Sequence, residues 1–339
     1  MTIKIGEIEL KNAVAAAPMS GVSDAPFRAV AAFAGAGWVV SEMVASEELV
    51  GRRPDVVRRA VNTKGVDPFV IQLAGRETSW MTRGAALAEE AGADIVDINM
   101  GCPARQVTGA LSGSALMRDP DHALSLIEAT IVGCSKPVTL KMRLGWDERS
   151  LNAAEIAARA EQAGVALITV HGRTRNQFYK GKADWHAIRS VTEAVSIPVI
   201  ANGDIVDLPT AREALALSQA DGVMVGRAAT GRPWLPGALA VALEQNAPEL
   251  DIPSPQKQLS LFLQHYDLTI EHYGRGLGVR MARKHLAGFV DTLPMIIDDG
   301  RRRLMRADLC RLDEPERVVD RLVSLVSRET VDEKLLITH

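Results

Sequence analysis

Pro198-Val199-Ile200-Ala201-Asn202-Gly203-Asp204 is a short apolar run that stops at a polar residue and a glycine. A run of this length without polar alternation reads as a strand covered on both faces, the parallel kind. The same design recurs to either side. Val14–Met19, Trp38–Met43, Phe69–Leu73, Ile95–Met100, Val138–Met142, Leu167–Val170, Val199–Ala201 and Gly222–Val225 all read as strands. The segments between them are helix-patterned and start at cap-forming residues: Asp24, Thr78, Asp121, Asn152, Asp184 and Asp207. Ala91-Gly92-Ala93 and Ala163-Gly164-Val165 read as helix ends turning into the next strand. Eight strands alternating with eight helices predict an α/β fold, a (β/α)8 TIM barrel over residues 1–246. An open doubly wound sheet fits less well, because no early Gly-x-Gly-x-x-Gly opens a helix after a strand.

The texture changes near Asn246-Ala247-Pro248, and Asp251-Ile252-Pro253-Ser254-Pro255 reads as a linker, since its prolines resist a continuing helix. Beyond it, Gln258–Tyr273, Gly278–Leu293, Arg301–Leu309 and Glu314–Arg328 carry helix-spaced apolar residues. They predict a small all-α domain over 256–330.

The chain has 339 residues, 47% hydrophobic and 24% charged, with a formal net charge of −3. That is ordinary globular composition, and any contact with nucleic acid must come from a local patch. Met1–Lys11 alternates without the long apolar core of a signal peptide, and no stretch is apolar enough to span a bilayer. The expectation is a soluble, cytoplasmic protein without membrane attachment, and a monomer. Cys102, Cys134 and Cys310 are far apart and form no C-x-x-C pair, so neither a disulfide framework nor a metal site is expected.

Reactive groups of such barrels sit at the C-terminal strand ends. Here those ends are Pro18-Met19, Glu42-Met43, Gln72, Asn99, Lys141, His171, Asn202-Gly203-Asp204 and Gly226-Arg227. One polar residue there is an accident, whereas six or more on one rim make a site. The two glycine turns are either ordinary βα turns needing positive φ or a phosphate cradle. Lys141 is a rim lysine, a Schiff-base lysine or a cation facing an anionic ring. His171 is a core histidine or a base. Cys102 sits in a glycine- and proline-flanked loop, which favours a thiol facing the pocket over a buried apolar one. A thiol is mostly protonated at neutral pH and so can give up a proton.

Ala17-Pro18-Met19-Ser20-Gly21-Val22-Ser23-Asp24, Asp97-Ile98-Asn99-Met100-Gly101-Cys102-Pro103, His171-Gly172-Arg173-Thr174-Arg175, Pro198–Asp204 and Gly226-Arg227-Ala228 with Pro233-Trp234 resemble the tRNA-dihydrouridine synthases. His272-Tyr273-Gly274 and Arg280-Met281-Ala282-Arg283-Lys284-His285 resemble the bacterial B-type branch. The resemblance spans about residues 5–330. It implies FMN on the rim, with Pro18, Met19, Ser20, Gln72 and Lys141 at the ring. His171, Asn202, Gly203, Asp204, Gly226 and Arg227 would lie toward the ribityl chain and phosphate. It further implies reduction by NADPH or NADH, hydride transfer to C6 of a uracil in the tRNA D-loop, and a proton from Cys102 to C5, with Asn99 holding the base. Three departures stand out: Ser20 where alanine is common, Arg105-Gln106 where paired lysines are common, and Ser112 where alanine is common.

A uracil in folded RNA must be splayed out to reach a barrel mouth, so the enzyme needs a grip on the RNA backbone. Between Arg275 and Arg311 there are nine basic residues (Arg275, Arg280, Arg283, Lys284, Arg301, Arg302, Arg303, Arg306 and Arg311) against four acidic ones. The rim adds Arg105, Arg143, Arg173, Arg175, Lys180 and Lys182. Two rival readings are a flavin reductase of a free pyrimidine and an RNA-binding regulator with a vestigial flavin site. The basic helical appendix counts against the first. Intact Cys102, Lys141 and His171 count against the second.

Overall fold

The structure, a computed structural model, describes residues 3–63, 65–109, 111–294 and 298–336, with side chains to 327. Met1 and Thr2, at the head of the alternating N-terminal stretch, lie outside them. Eight strands form the barrel: β1 (Val14–Ala16), β2 (Trp38–Val40), β3 (Phe69–Ala74), β4 (Ile95–Met100), β5 (Val138–Arg143), β6 (Leu167–His171), β7 (Val199–Asn202) and β8 (Gly222–Val225). Each pairs in parallel with the next, and β8 pairs with β1, so the sheet closes without an edge. The first two strands stop short of their apolar runs. Pro18 has no N–H for a ladder, and beyond β2 the chain bends before Val44–Ala45 rejoins β3.

Helix starts follow local chemistry. Asp24, Asp184 and Asp207 accept a backbone N–H as expected, whereas Asn152 stands at the cap without a capping bond and donates its amide to the Met117 carbonyl instead. Thr78 is already helical behind Glu77. Asp119, not Asp121, caps the helix before β5, because Pro120 is suited to the first helical position and leaves the cap to the residue before it. Gly92 and Gly164 turn with φ of 88° and 108°.

The strands' apolar runs are not uniform in the barrel: period two sorts them. Ile71, Leu73, Val96, Ile98, Met100, Leu140, Met142, Ile168 and Val170 pack outward among the helices. Inside, the lower layer is apolar: Trp38, Val70, Ile95, Leu167, Ile200 and Met224, closed from below by Ile3, Ile5 and Leu10 around an N-terminal hairpin. Two residues further along the same inward rows come Gln72, Asp97 and Asn202, four beyond Leu167 comes His171, and Lys141 stands on β5 level with Asn99. The barrel thus floats a polar layer on an apolar one.

Helices Pro255–Tyr273, Arg275–Thr292, Asp299–Arg311 and Pro315–Leu336 follow. Pro255 opens the first of them behind the Ser254 cap, instead of merely interrupting. Phe262, Tyr266, Leu286, Phe289, Leu309 and Leu322 form their own core. They dock on the barrel through Phe27, which stacks on His285 (ring centroids 5.5 Å apart) and meets the edge of His265 (5.9 Å). The two histidines touch at 4.4 Å and are buried. Burial holds His265 down at about 4 and pushes His285 well below the ordinary histidine value.

That has a stability consequence. The unfolded chain protonates these rings near pH 6.5, while the folded chain keeps them neutral, so stability is full above that pH and falls as pH drops below it. Between pH 6.5 and 4, His265 alone is expected to remove on the order of 3 kcal/mol. Urea midpoints measured from pH 7 to 5 should fall, and His265→Leu should flatten the slope. An unchanged slope would remove the histidines from the account.

Candidate active site

One cavity of about 490 Å³ opens at the C-terminal end of the barrel. It is lined by Pro18, Met19, Ser20, Gln72, Asn99, Cys102, Lys141, Arg143, His171, Asn202, Gly203, Asp204, Gly226 and Arg227. Eleven cofactor positions and the cysteine expected from the sequence therefore meet in one place, together with Asn99 and Arg143.

Its floor is a chain of directed hydrogen bonds. Gln72 Nε2 donates to Asp97 Oδ2 (2.7 Å), and Thr139 Oγ1 donates to Asp97 Oδ1 (2.6 Å). Asn99 Nδ2 donates to Gln72 Oε1 (2.7 Å), and Asn99 Oδ1 accepts the backbone N–H of Cys102 (2.9 Å). Ser114 Oγ donates to the Cys102 carbonyl (2.8 Å), so both backbone groups of the cysteine are held. Gly113, at φ 60°, lies against that carbonyl, where a side chain would not fit. The thiol itself is half-buried. Ser112, one of the departures, donates to the Gly75 carbonyl and so ties this loop to the end of β3.

Across the cavity, Lys141 Nζ donates to Asn202 Oδ1 (3.1 Å), which also faces His171 Nδ1 (2.9 Å). Asn202 Nδ2 donates to the Met224 carbonyl, which sets the amide's direction. His171 therefore carries its proton on Nδ1, and Nε2 faces an Arg173 N–H at 3.3 Å. Burial, with the cations of Arg143 and Lys141 nearby, pushes His171 well below its ordinary value. It is a neutral ring engaged at both nitrogens. Burial and then Arg143 lower Lys141 to about 8, with Asp97 pulling the other way. At neutral pH the ammonium is mostly charged.

The two glycine turns differ. Gly203 has φ 112°, and a Cβ there would press on Ala183 and His171, so this βα turn demands glycine. Gly226 has φ −101° and needs no left-handed backbone. A side chain there would meet nothing within 4 Å, so glycine at this position keeps the cavity open. Arg227 is exposed, 3.5 Å from Asp204, which also takes hydrogen bonds from Arg173 and from Ala183 N. Asp204 therefore serves as a counter-ion at this end.

The expected RNA contacts divide. Arg143, 2% exposed, gives its N–H groups to the carbonyls of Gly101, Thr174 and Phe178. Arg173, 1% exposed, gives its own to Lys180, Gly181 and Asp204. Both brace the rim loops from inside, unlike the surface contacts expected of them. Arg175 lies over Trp146 and Phe178 (4.6 and 4.7 Å). Lys284 donates to the Gly21 carbonyl, and Glu42 accepts the Gly21 N–H, so the loop after Pro18-Met19-Ser20 is gripped from the helical region and from the segment after β2. Arg283 pairs with Asp313, Arg275 with Glu316 and Arg306 with Asp291. Arg105, Arg280, Arg301, Arg303 and Arg311 are exposed.

Sequence reasoning missed Asp97 as a site residue, and also Tyr179, which lines the mouth with Arg227 over its ring at 5.0 Å. Aromatic residues are 4% of the chain, so Phe178-Tyr179 beside the His171 strand end was a usable signal.

A closed barrel whose strand ends bring a cysteine, a half-buried lysine and three amides into one cavity has the build of a barrel enzyme. The family model described as "Dihydrouridine synthase (Dus)" matches residues 15–306, and the chain belongs to the dihydrouridine synthase family. A "Probable tRNA-dihydrouridine synthase" of Rhodobacter capsulatus is 52% identical over 93% of this chain and 95% of its own. A "tRNA-dihydrouridine synthase B" of Proteus vulgaris is 42% identical over 85% of this chain and 89% of its own. Among solved structures, a 2-naphthoyl-CoA reductase aligns with TM-score 0.55 at 14% identity, over 73% of this chain and 52% of that one. A histamine dehydrogenase from Rhizobium sp. 4-9 aligns with TM-score 0.52 at 15% identity, over 97% and 64%. Those two share the barrel fold.

Proposed function

We propose that this enzyme reduces the C5–C6 double bond of a uridine in the tRNA D-loop, using FMN and NADPH or NADH. The observation that supports it best is Cys102, held by Asn99 and Ser114, in the same cavity as Lys141, Gln72 and the two glycine turns. The cavity suits a flavin. Its size is in the range of cofactor pockets, and the Lys141 ammonium brings three donors, of which one meets Asn202.

Pro18, Met19, Ser20, Gln72 and Lys141 would hold the ring, and His171, Asn202, Gly203, Asp204, Gly226 and Arg227 the ribityl and phosphate end. When bound and reduced, FMN supplies the hydride for uracil C6. Cys102 gives its thiol proton to C5, and Asn99 orients the base through its remaining amide N–H. Lys141 contributes positive charge in a low-dielectric site, where it acts more strongly than in water. No helix among the described residues is long and apolar enough to cross a membrane, and we infer a cytoplasmic monomer.

For the RNA grip we assign the exposed Arg105, Arg280, Arg301, Arg303 and Arg311. The ion-paired Arg275, Arg283 and Arg306 have carboxylates to lose before they can serve. With about four phosphates neutralised, log Kd for tRNA against log salt should have a slope of magnitude about 3. A flat salt titration would dismiss the patch. Mapping dihydrouridine in tRNA from cells lacking the gene tests the whole reading. D-loop sites should lose the modification and regain it on complementation, and an unchanged map would reject it.

A further inference from the structure

Three inward residues of β3 and β4 link into one line whose polarity is set at both ends. At one end, the backbone N–H groups of Cys102 and Gly101 accept nothing, so Asn99 must turn its oxygen toward them (2.9 and 3.2 Å). That places the Asn99 amide nitrogen on Gln72 Oε1, and Gln72 Nε2 then needs an acceptor in a fully buried place. Asp97, 4% exposed, is that acceptor.

We propose that Asp97 is a positioning residue for the reaction: by accepting from Gln72 it keeps both amides turned so that each has one N–H left for the cavity, and it keeps Asn99 on the Cys102 turn. This rests on the flavin reading of the cavity given above. The groups around the carboxylate are consistent with an acceptor. Thr139 on β5 donates to its other oxygen, Gln72 on β3 donates to the first, and Lys141, two residues along β5 from Thr139, faces it with positive charge. Burial raises the Asp97 carboxyl to about 6, so at neutral pH it is ionised and can only accept.

The side chain can be replaced in two distinguishable ways. In Asp97→Asn the amide oxygen can still accept from Gln72 while its nitrogen donates to the Thr139 hydroxyl, so direction survives and charge does not. In Asp97→Leu the acceptor is gone at similar volume. Purified full-length variants would be titrated with FMN, followed by flavin fluorescence and the visible spectrum, and then assayed for kcat and KM on tRNA.

Asp97→Leu should bind FMN at least tenfold more weakly, with an altered flavin spectrum and at least tenfold lower kcat, while Asp97→Asn stays within about threefold of the unsubstituted enzyme. In a Gln72→Met background, Asp97→Leu should add no further loss, since its effect runs through Gln72. If Asp97→Leu does not fold, Asp97→Ala carries the same test. The proposal is overturned if the Leu variant matches the unsubstituted enzyme, if Asn is as impaired as Leu, or if the losses add in the double variant. Should the unsubstituted protein bind FMN yet leave tRNA untouched, the functional reading fails, and FMN affinity and spectrum still decide the role of Asp97.

Discussion

Replacing Cys102 by alanine is expected to slow uridine reduction by about 10²–10⁴-fold, the usual worth of a positioned general acid. Flavin reduction by NADPH should be unchanged, because nothing in that half-reaction uses the thiol. The loss should also be confined to the chemical step. Cys102 is held through its backbone, by Asn99 on the N–H and by Ser114 on the carbonyl, and neither contact involves the side chain that alanine removes. Binding of FMN and tRNA should therefore survive. Rapid mixing of reduced enzyme with unmodified tRNA, following flavin absorbance, separates these quantities. A full single-turnover rate in Cys102→Ala would withdraw the proton-donor role and leave the cavity without an assigned acid.

The second large effect lies away from the reacting atoms. Gly231, at φ 76°, follows the turn that carries Gly226 and Arg227, and a methyl there would overlap the backbone of Gly288 and Phe289. Gly288 in turn lies against the Thr230 carbonyl. Helix Arg275–Thr292 thus rests on the β8 turn with backbone against backbone, and neither side has a flexible group that can yield. Gly231→Ala is expected to cost about 3 kcal/mol, from overpacking and from placing a Cβ at positive φ. For a chain of this length that corresponds to roughly 5 °C in Tm. Because the same helix carries Lys284 to the Gly21 carbonyl, its displacement should also loosen the loop after Pro18-Met19-Ser20. FMN affinity should fall together with tRNA activity. Thermal melts and FMN titration of Gly231→Ala check this, and a variant with native Tm would show that the two parts part at little cost.

Much of this was legible in one dimension. The barrel announces itself because a parallel strand buried on both faces must be apolar for several residues. A βα turn must then follow, and such runs recur at regular spacing from Val14 to Val225. The site residues announce themselves because an ionisable or amide group at a strand's end breaks that rule eight times on one rim. Local rules also placed the caps at Asp24, Asp184 and Asp207; Thr78 fell one residue inside its helix, Asn152 makes no capping bond, and a proline moved a third cap to Asp119. The two readings of Gly226 could not be separated in the sequence because φ is not written there; its φ of −101° and the open space beside it are properties of the assembled rim.

The charge count shows the limit most clearly. Between Arg275 and Arg311 the chain is strongly basic, yet Asp313 and Glu316, just outside that window, fold back onto Arg283 and Arg275. Arg143 and Arg173 read as surface cations and are buried, because carbonyls of the Gly101–Gly181 loops arrive to take their N–H groups. By itself the sequence determined which residues alternate, where strands end and which chemical groups stand there. Only the tertiary structure decided which of those groups face one another. A hydrogen bond or ion pair depends on distances of about 3 Å between residues tens of positions apart, and closure of the sheet sets those distances.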